Sequence, residues 1–173
     1  MSRRPALVIA LLAASAACAR PAPEPPVTES RSGTDADSAV VVLERQPCFG
    51  TCPVYRVTIA RSGAVRFEGR RFVRDSGTVS GAISRAAVDS LLAELEAGGY
   101  FELADRYVPG EPGCGAVATD LPTVITEVSG AGRTKRIEDY HGCADRPAGL
   151  SALERRIDDV AGTDRWTERS PSR

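Results

Sequence analysis

The stretch Val54-Tyr55-Arg56-Val57-Thr58-Ile59, followed by Ser62-Gly63 and then Val65 and Phe67, decides the fold. Tyr55, Val57 and Ile59 alternate with polar residues, a period of two that puts them on one face of a strand. Ser62-Gly63 supplies turn chemistry, and Val65 and Phe67 continue the apolar face on the return strand. The reading is a β-hairpin with one buried face. Upstream, Ala39 to Glu44 is a β-branched run that reads as a strand. A further short strand is expected near Gly77 to Ile83.

Downstream the period changes. Ser84 is a good N-cap, Val88, Leu91, Leu92 and Leu95 follow at helical spacing, and Gly98-Gly99 ends the helix. Tyr100, Phe101 and Leu103 are expected beneath the helix end. Residues 109–122 hold three Pro and three Gly around Cys114 and read as a loop. Thr123 to Val128, a Gly130-Ala131-Gly132 turn and Thr134 to Tyr140 form a second hairpin. A second helix is expected from Pro147 to Ala161, with Leu150, Leu153, Ile157 and Val160 on one face and Gly162 at its end. Trp166 is expected to cover the end of the core. Hairpins followed by helices define an α+β two-layer sandwich, an antiparallel sheet of hairpins with two helices on one face.

The chain has 173 residues, 42% of them hydrophobic, with 22 basic against 23 acidic side chains and a formal charge of −1. That balance leaves no basic excess for a nucleic-acid binder. No apolar run reaches the length of a membrane span.

The ends of the chain differ from its middle. Arg3 and Arg4 precede Ala6 to Ala17, twelve residues in which only Ser15 is not apolar. This matches the apolar region of an export signal, about 7–15 residues. Residues 1–17 are thus expected to be a signal peptide. Cys18 follows Ala16-Ala17, as in a bacterial lipoprotein signal, although Ser15 stands where an aliphatic residue is usual. Cys18 is expected to be acylated and to hold the chain on a lipid bilayer, facing the periplasm or cell exterior. Cleavage at a small-residue site such as Ala17-Cys18-Ala19 is the rival. Residues 18–38 are expected to be a disordered tether, because residues 19–38 contain four Pro and only four apolar residues. Residues 39–166 form the single domain and 167–173 a disordered tail.

If Cys18 carries lipid, four Cys remain and three pairings are open. Four residue steps span about 13 Å when extended, so a Cys48–Cys52 bridge needs a tight turn, which Gly50 allows. The favoured pairs are Cys48–Cys52 and Cys114–Cys143. A redox dithiol at Cys48 and Cys52 competes, but one residue too many separates them and no βαβ unit surrounds them. Zinc on Cys48, Cys52, His141 and Cys143 matches no strong spacing pattern. No metal and no cofactor is expected.

His141 is the only His, so any Ser–His or Cys–His chemistry must pass through it. Asp139, Asp120 and Tyr140 lie close by in sequence and are weak binding candidates with it. The alternative is that His141 caps a strand end and bonds the Cys143 loop. No catalytic residue is assigned. Arg70, Arg71 and Arg74 form a basic cluster near a strand end that reads as a solvated edge.

Four segments carry a family resemblance: Pro47-Cys48-Phe49-Gly50-Thr51-Cys52-Pro53-Val54-Tyr55, Gly69-Arg70-Arg71-Phe72-Val73, Ala118-Thr119-Asp120-Leu121-Pro122-Thr123 and Tyr140-His141-Gly142-Cys143. Together they resemble the exported bacterial domain-of-unknown-function family numbered 6438, over about residues 39–166. The resemblance implies a compact α+β domain, frequent signal peptides or lipid anchors, and no activity or catalytic residue to carry over. A non-enzymatic envelope module that binds a protein or glycan, or serves a structural role, is the favoured function. The alternative is an envelope thiol–disulfide or hydrolytic enzyme using Cys48/Cys52 or His141.

Overall fold

The computed structural model describes residues 38–168. The expectations for residues 1–37, including Cys18, and for the last residues of the tail lie outside this range. Among the described residues, β1 (Ala39–Arg45), β2 (Val54–Ala60), β3 (Ala64–Arg71), β4 (Gly77–Ala82), β5 (Arg106–Tyr107), β6 (Thr123–Gly130) and β7 (Arg133–Tyr140) form one sheet in the order β4-β3-β2-β1-β6-β7-β5. Its pairs are antiparallel except β5 with β7, which is parallel. Three helices accompany it: α1 (Arg85–Ala97), α2 (Leu150–Ala161) and the short α3 (Asp164–Thr167). The α+β class read from the hairpins is the one observed.

Register places one apolar set on one face. Leu43 lies opposite Val57, Val41 opposite Ile59 and Val57 opposite Phe67. These residues are fully buried, as are Val124, Val128 and Ile137 from the second hairpin. Over them lie Val88, Leu91 and Leu95 of α1 and Leu150, Ile157 and Ala161 of α2. Both helices therefore cover the same face, and an ion pair from Arg156 to Glu94 joins them at 2.5 Å.

The local signals act as read. The Ala87 N–H donates to the Ser84 hydroxyl at 3.1 Å, capping α1. Gly99 and Gly162 take left-handed backbone after the two long helices. Trp166 in α3 stacks on Phe67 with ring centroids 5.1 Å apart. Tyr100 is wholly buried, and Phe101 and Leu103 pack against the core beside it.

Three details differ from expectation, the first being β5, which pairs parallel with β7 in a sheet expected to be antiparallel. α2 begins at Leu150, because the Leu150 N–H bonds the Pro147 carbonyl in a preceding turn. The basic cluster is exposed at the end of β3, past its last pair with β4 at Gly69, but its side chains have partners. Arg70 pairs with Glu44 at 2.9 Å, Arg74 with Asp75 at 3.1 Å, and Arg71 lies over the Phe72 ring.

A candidate binding end and a buried acid–imidazole cluster

Register also fixes what meets at each end of the sheet. Arg45 is opposite Tyr55 and Val124, Val54 is opposite Arg71, and Thr123 is opposite Tyr140. The segments beyond these residues therefore share one end. They are the Cys48–Cys52 loop, the turn after β3, the loop before β6 and the turn after β7. Ala39, where the chain enters β1, is opposite Ala60 and lies at the other end.

Both disulfides lie at this shared end. Cys48–Cys52 has its Cα atoms 5.8 Å apart and closes an exposed loop around Gly50, whose φ is +144°. Cys114–Cys143 has Cα atoms 4.4 Å apart and is buried. These are the two pairs favoured from spacing. With all four thiols closed, zinc on Cys48, Cys52 and Cys143 has no thiolate to bind.

The loops are stitched by backbone bonds. Phe49 N–H donates to the Asp120 carbonyl at 3.1 Å, Ala118 N–H to the Gly142 carbonyl at 2.8 Å, and Ala144 N–H to the Ala116 carbonyl at 2.9 Å. Gly142 is obligatory for this contact: a Cβ there would stand 2.1 Å from the Ala118 carbonyl oxygen.

The end exposes large apolar side chains among polar ones such as Arg71, Thr119 and Asp120. Phe49 is 86% exposed, Val117 46%, Leu121 42% and Phe72 37%. Two of the three described non-glycine residues with positive φ lie here, the third being Ala131 at the opposite end. Phe72 and Asp120 hold φ of +54° and +72° without being glycine. For an aromatic residue this is a true outlier, held in place by its surroundings.

Beneath this end, on the helix side of the sheet, lies a cluster of ionisable groups. Asp139 of β7 is 1% exposed, Glu154 of α2 is 2% exposed, and His141 just beyond β7 is 23% exposed. His141 Nε2 is 2.9 Å from Glu154 Oε2 and 3.7 Å from Asp139 Oδ2. Arg146 donates to both Asp139 oxygens, at 2.9 and 2.5 Å, and to Ser151 Oγ at 2.6 Å. The Glu154 carboxyl is pushed above the usual carboxylate range. Burial is the first cause; the neighbouring Asp139 adds to it and the His141 bond opposes it.

A half-buried network anchors α2 to the sheet. Asp158 accepts from Arg45 at 2.6 and 2.8 Å, from the Tyr55 hydroxyl at 2.6 Å and from Thr163 at 2.9 Å. Burial and the adjacent Asp158 raise the Tyr55 phenol well above its ordinary value. The Tyr100 phenol is raised chiefly by burial, and it bonds Thr126 at 2.7 Å.

Of the sequence candidates, Asp139 and His141 are brought together and Asp120 is not. Asp120 is exposed, and its carboxylate accepts from the Thr119 hydroxyl. Tyr140 donates to the Ala118 carbonyl and so belongs to the stitching. The His141 ring bonds Glu154 across to α2 rather than the Cys143 loop. Glu154 and Arg146 were not singled out. The signal for Glu154 was present: a carboxylate between Leu150 and Ile157 on the apolar stripe of α2. A cleft of about 510 Å³ at the opposite end is lined by Val40, Arg61, Gly130 and Arg133 among others, and gathers no carboxylate or imidazole.

The fold and this end define a disulfide-braced α+β domain with loops gathered at one pole. No helix among the described residues is long and apolar enough to cross a membrane, and together with the two disulfides this is compatible with an exported protein. The chain belongs to the family described as a domain of unknown function (DUF6438), whose model matches residues 39–161. No curated protein matches the chain at a significant level. The four segments that carry the family resemblance, residues 47–55, 69–73, 118–123 and 140–143, all reach the same end of the sheet.

Proposed function

We propose that this protein is an exported, lipid-anchored binding module of the bacterial cell envelope that engages a protein partner through its apolar end. One observation carries the reading. Phe49, Phe72, Val117 and Leu121, the exposed large apolar side chains, share the end that the two disulfides brace. Fixing such residues on short cross-linked loops lowers the ordering cost that binding would otherwise incur. A central aromatic such as Phe49 is the kind of side chain that dominates interface energetics. The described chain enters the domain at the opposite end of the sheet, where Ala39 pairs with Ala60.

The test places a photoreactive residue at position 49 or 121, and as a control at exposed Arg66 on the open sheet face, in intact envelopes. Discrete adducts from 49 and 121 but not from 66 support the reading. Adducts from 66 alone, or from none of the three, refute it. The enzyme alternative has one observation in its favour, His141 beside two buried carboxylates.

A further inference from the structure

The buried cluster beneath the binding end gathers two carboxylates, Asp139 and Glu154, around one imidazole and one guanidinium, His141 and Arg146. Arg146 is fully committed, with two bonds to Asp139 and one to Ser151. Arg45, the other guanidinium whose charge reaches Glu154, is committed to Asp158. Glu154 Oε1 is buried and has no hydrogen-bond donor. A buried acceptor left without a partner costs about 1–3 kcal/mol, more when charged. A hydrogen-bond donor or a cation belongs against this oxygen.

The donor geometry favours the cation. One donor atom from each of Asp139, His141 and Glu154 lies within 4.8 Å of the other two. Tetrahedral ligands bound at about 2.1 Å stand about 3.4 Å apart, and His141 Nε2 is already 2.9 Å from Glu154 Oε2 and 3.7 Å from Asp139 Oδ2. We propose that Asp139, His141 and Glu154 bind a divalent first-row transition cation such as Zn²⁺ or Mn²⁺.

One imidazole nitrogen with two carboxylates suits such ions, whereas Ca²⁺ and Mg²⁺ favour all-oxygen sets. The three ligands come from β7, the turn after it and α2, so the ion would tie helix to sheet. Arg146 holds the Asp139 carboxylate in orientation, the task of an outer-shell partner. Its charge also weakens the site, because like charges repel at this range. The partial exposure of His141 leaves room for water at a further position, the arrangement of open rather than closed sites. This proposal stands independently of the binding reading.

The experiment uses the full chain, disulfides intact, any free Cys18 thiol alkylated, and stripped with chelator. ZnCl₂ and MnCl₂ are titrated separately by calorimetry and equilibrium dialysis, with thermal unfolding in parallel. His141→Gln and Glu154→Gln each remove a ligand while keeping size and hydrogen-bonding capacity. Asp105→Asn, at an exposed carboxylate, is the control. The expected result is one ion per chain for at least one metal and a raised Tm. Both ligand variants should weaken binding by more than about tenfold, the lower bound for outer-shell changes alone, and the control should leave it unchanged. Should one variant fail to fold, the other decides. Absence of stoichiometric binding by the folded chain, or equal affinity in the folded ligand variants, overturns the proposal.

Discussion

Opening the two disulfides separately should have unequal effects. Cys114 and Cys143 are 29 positions apart and both are buried. Closing a loop of that length removes chain entropy worth about 3.5 kcal/mol at 25 °C. Cys48 and Cys52 are four positions apart, and their bridge is worth about 2 kcal/mol by the same relation. Cys-to-Ala pairs avoid placing a hydroxyl in the buried site. For a domain of about 130 residues, the two changes correspond to Tm losses of roughly 13 °C and 7 °C. The backbone bonds from Ala118 to Gly142 and from Ala144 to Ala116 keep the long-bridge variant folded at 25 °C. Urea unfolding with a common m-value, supported by calorimetry, measures both. A short-bridge loss equal to or larger than the long-bridge loss would refute the reasoning. It would mean that the Cys48–Cys52 loop carries native contacts beyond its closure entropy.

Two further predictions concern the Asp158 network and the raised phenols. Asp158→Ala should cost about 3 kcal/mol in urea unfolding, because it strands the Arg45 guanidinium without its carboxylate; a loss below about 1 kcal/mol would show that solvent replaces Asp158 freely. Stability should fall as pH rises past about 10, the ordinary phenol value. Above it the unfolded chain releases protons that folded Tyr55 and Tyr100 retain, since both phenols are raised. Each contributes up to about 1.4 kcal/mol per pH unit, and a Tyr55→Phe/Tyr100→Phe variant should flatten the slope.

The architecture was largely legible because its elements are long enough to show a period. β2 and β3 alternate over seven and eight residues, and α1 carries an N-cap and an apolar stripe. β5 was not legible, because two residues have no period and its parallel pairing with β7 depends on the chain between them. The disulfide pairs followed from spacing and Gly50. The cluster was half legible. Asp139 and His141 are two residues apart, but Glu154 reaches them only because α2 folds back over β7. Asp120 stands apart from it, exposed in a loop with left-handed backbone, a conformation Asp tolerates but does not require. The exposure of Phe49 has a physical root in its setting. A five-residue loop closed on itself has too little chain to fold its tip inward.

The central claim is that the apolar end is the surface that engages a partner. Competition in intact envelopes tests it most directly. The Cys18→Ser chain, lacking the acylation site, is added as a soluble competitor against the adduct formed from position 49 of the anchored protein. The account predicts that this chain suppresses the adduct in a concentration-dependent manner. The same chain carrying Phe49→Ser and Leu121→Ser, still folded by circular dichroism, should not. Equal suppression by both competitors would contradict the account, as would no suppression by either.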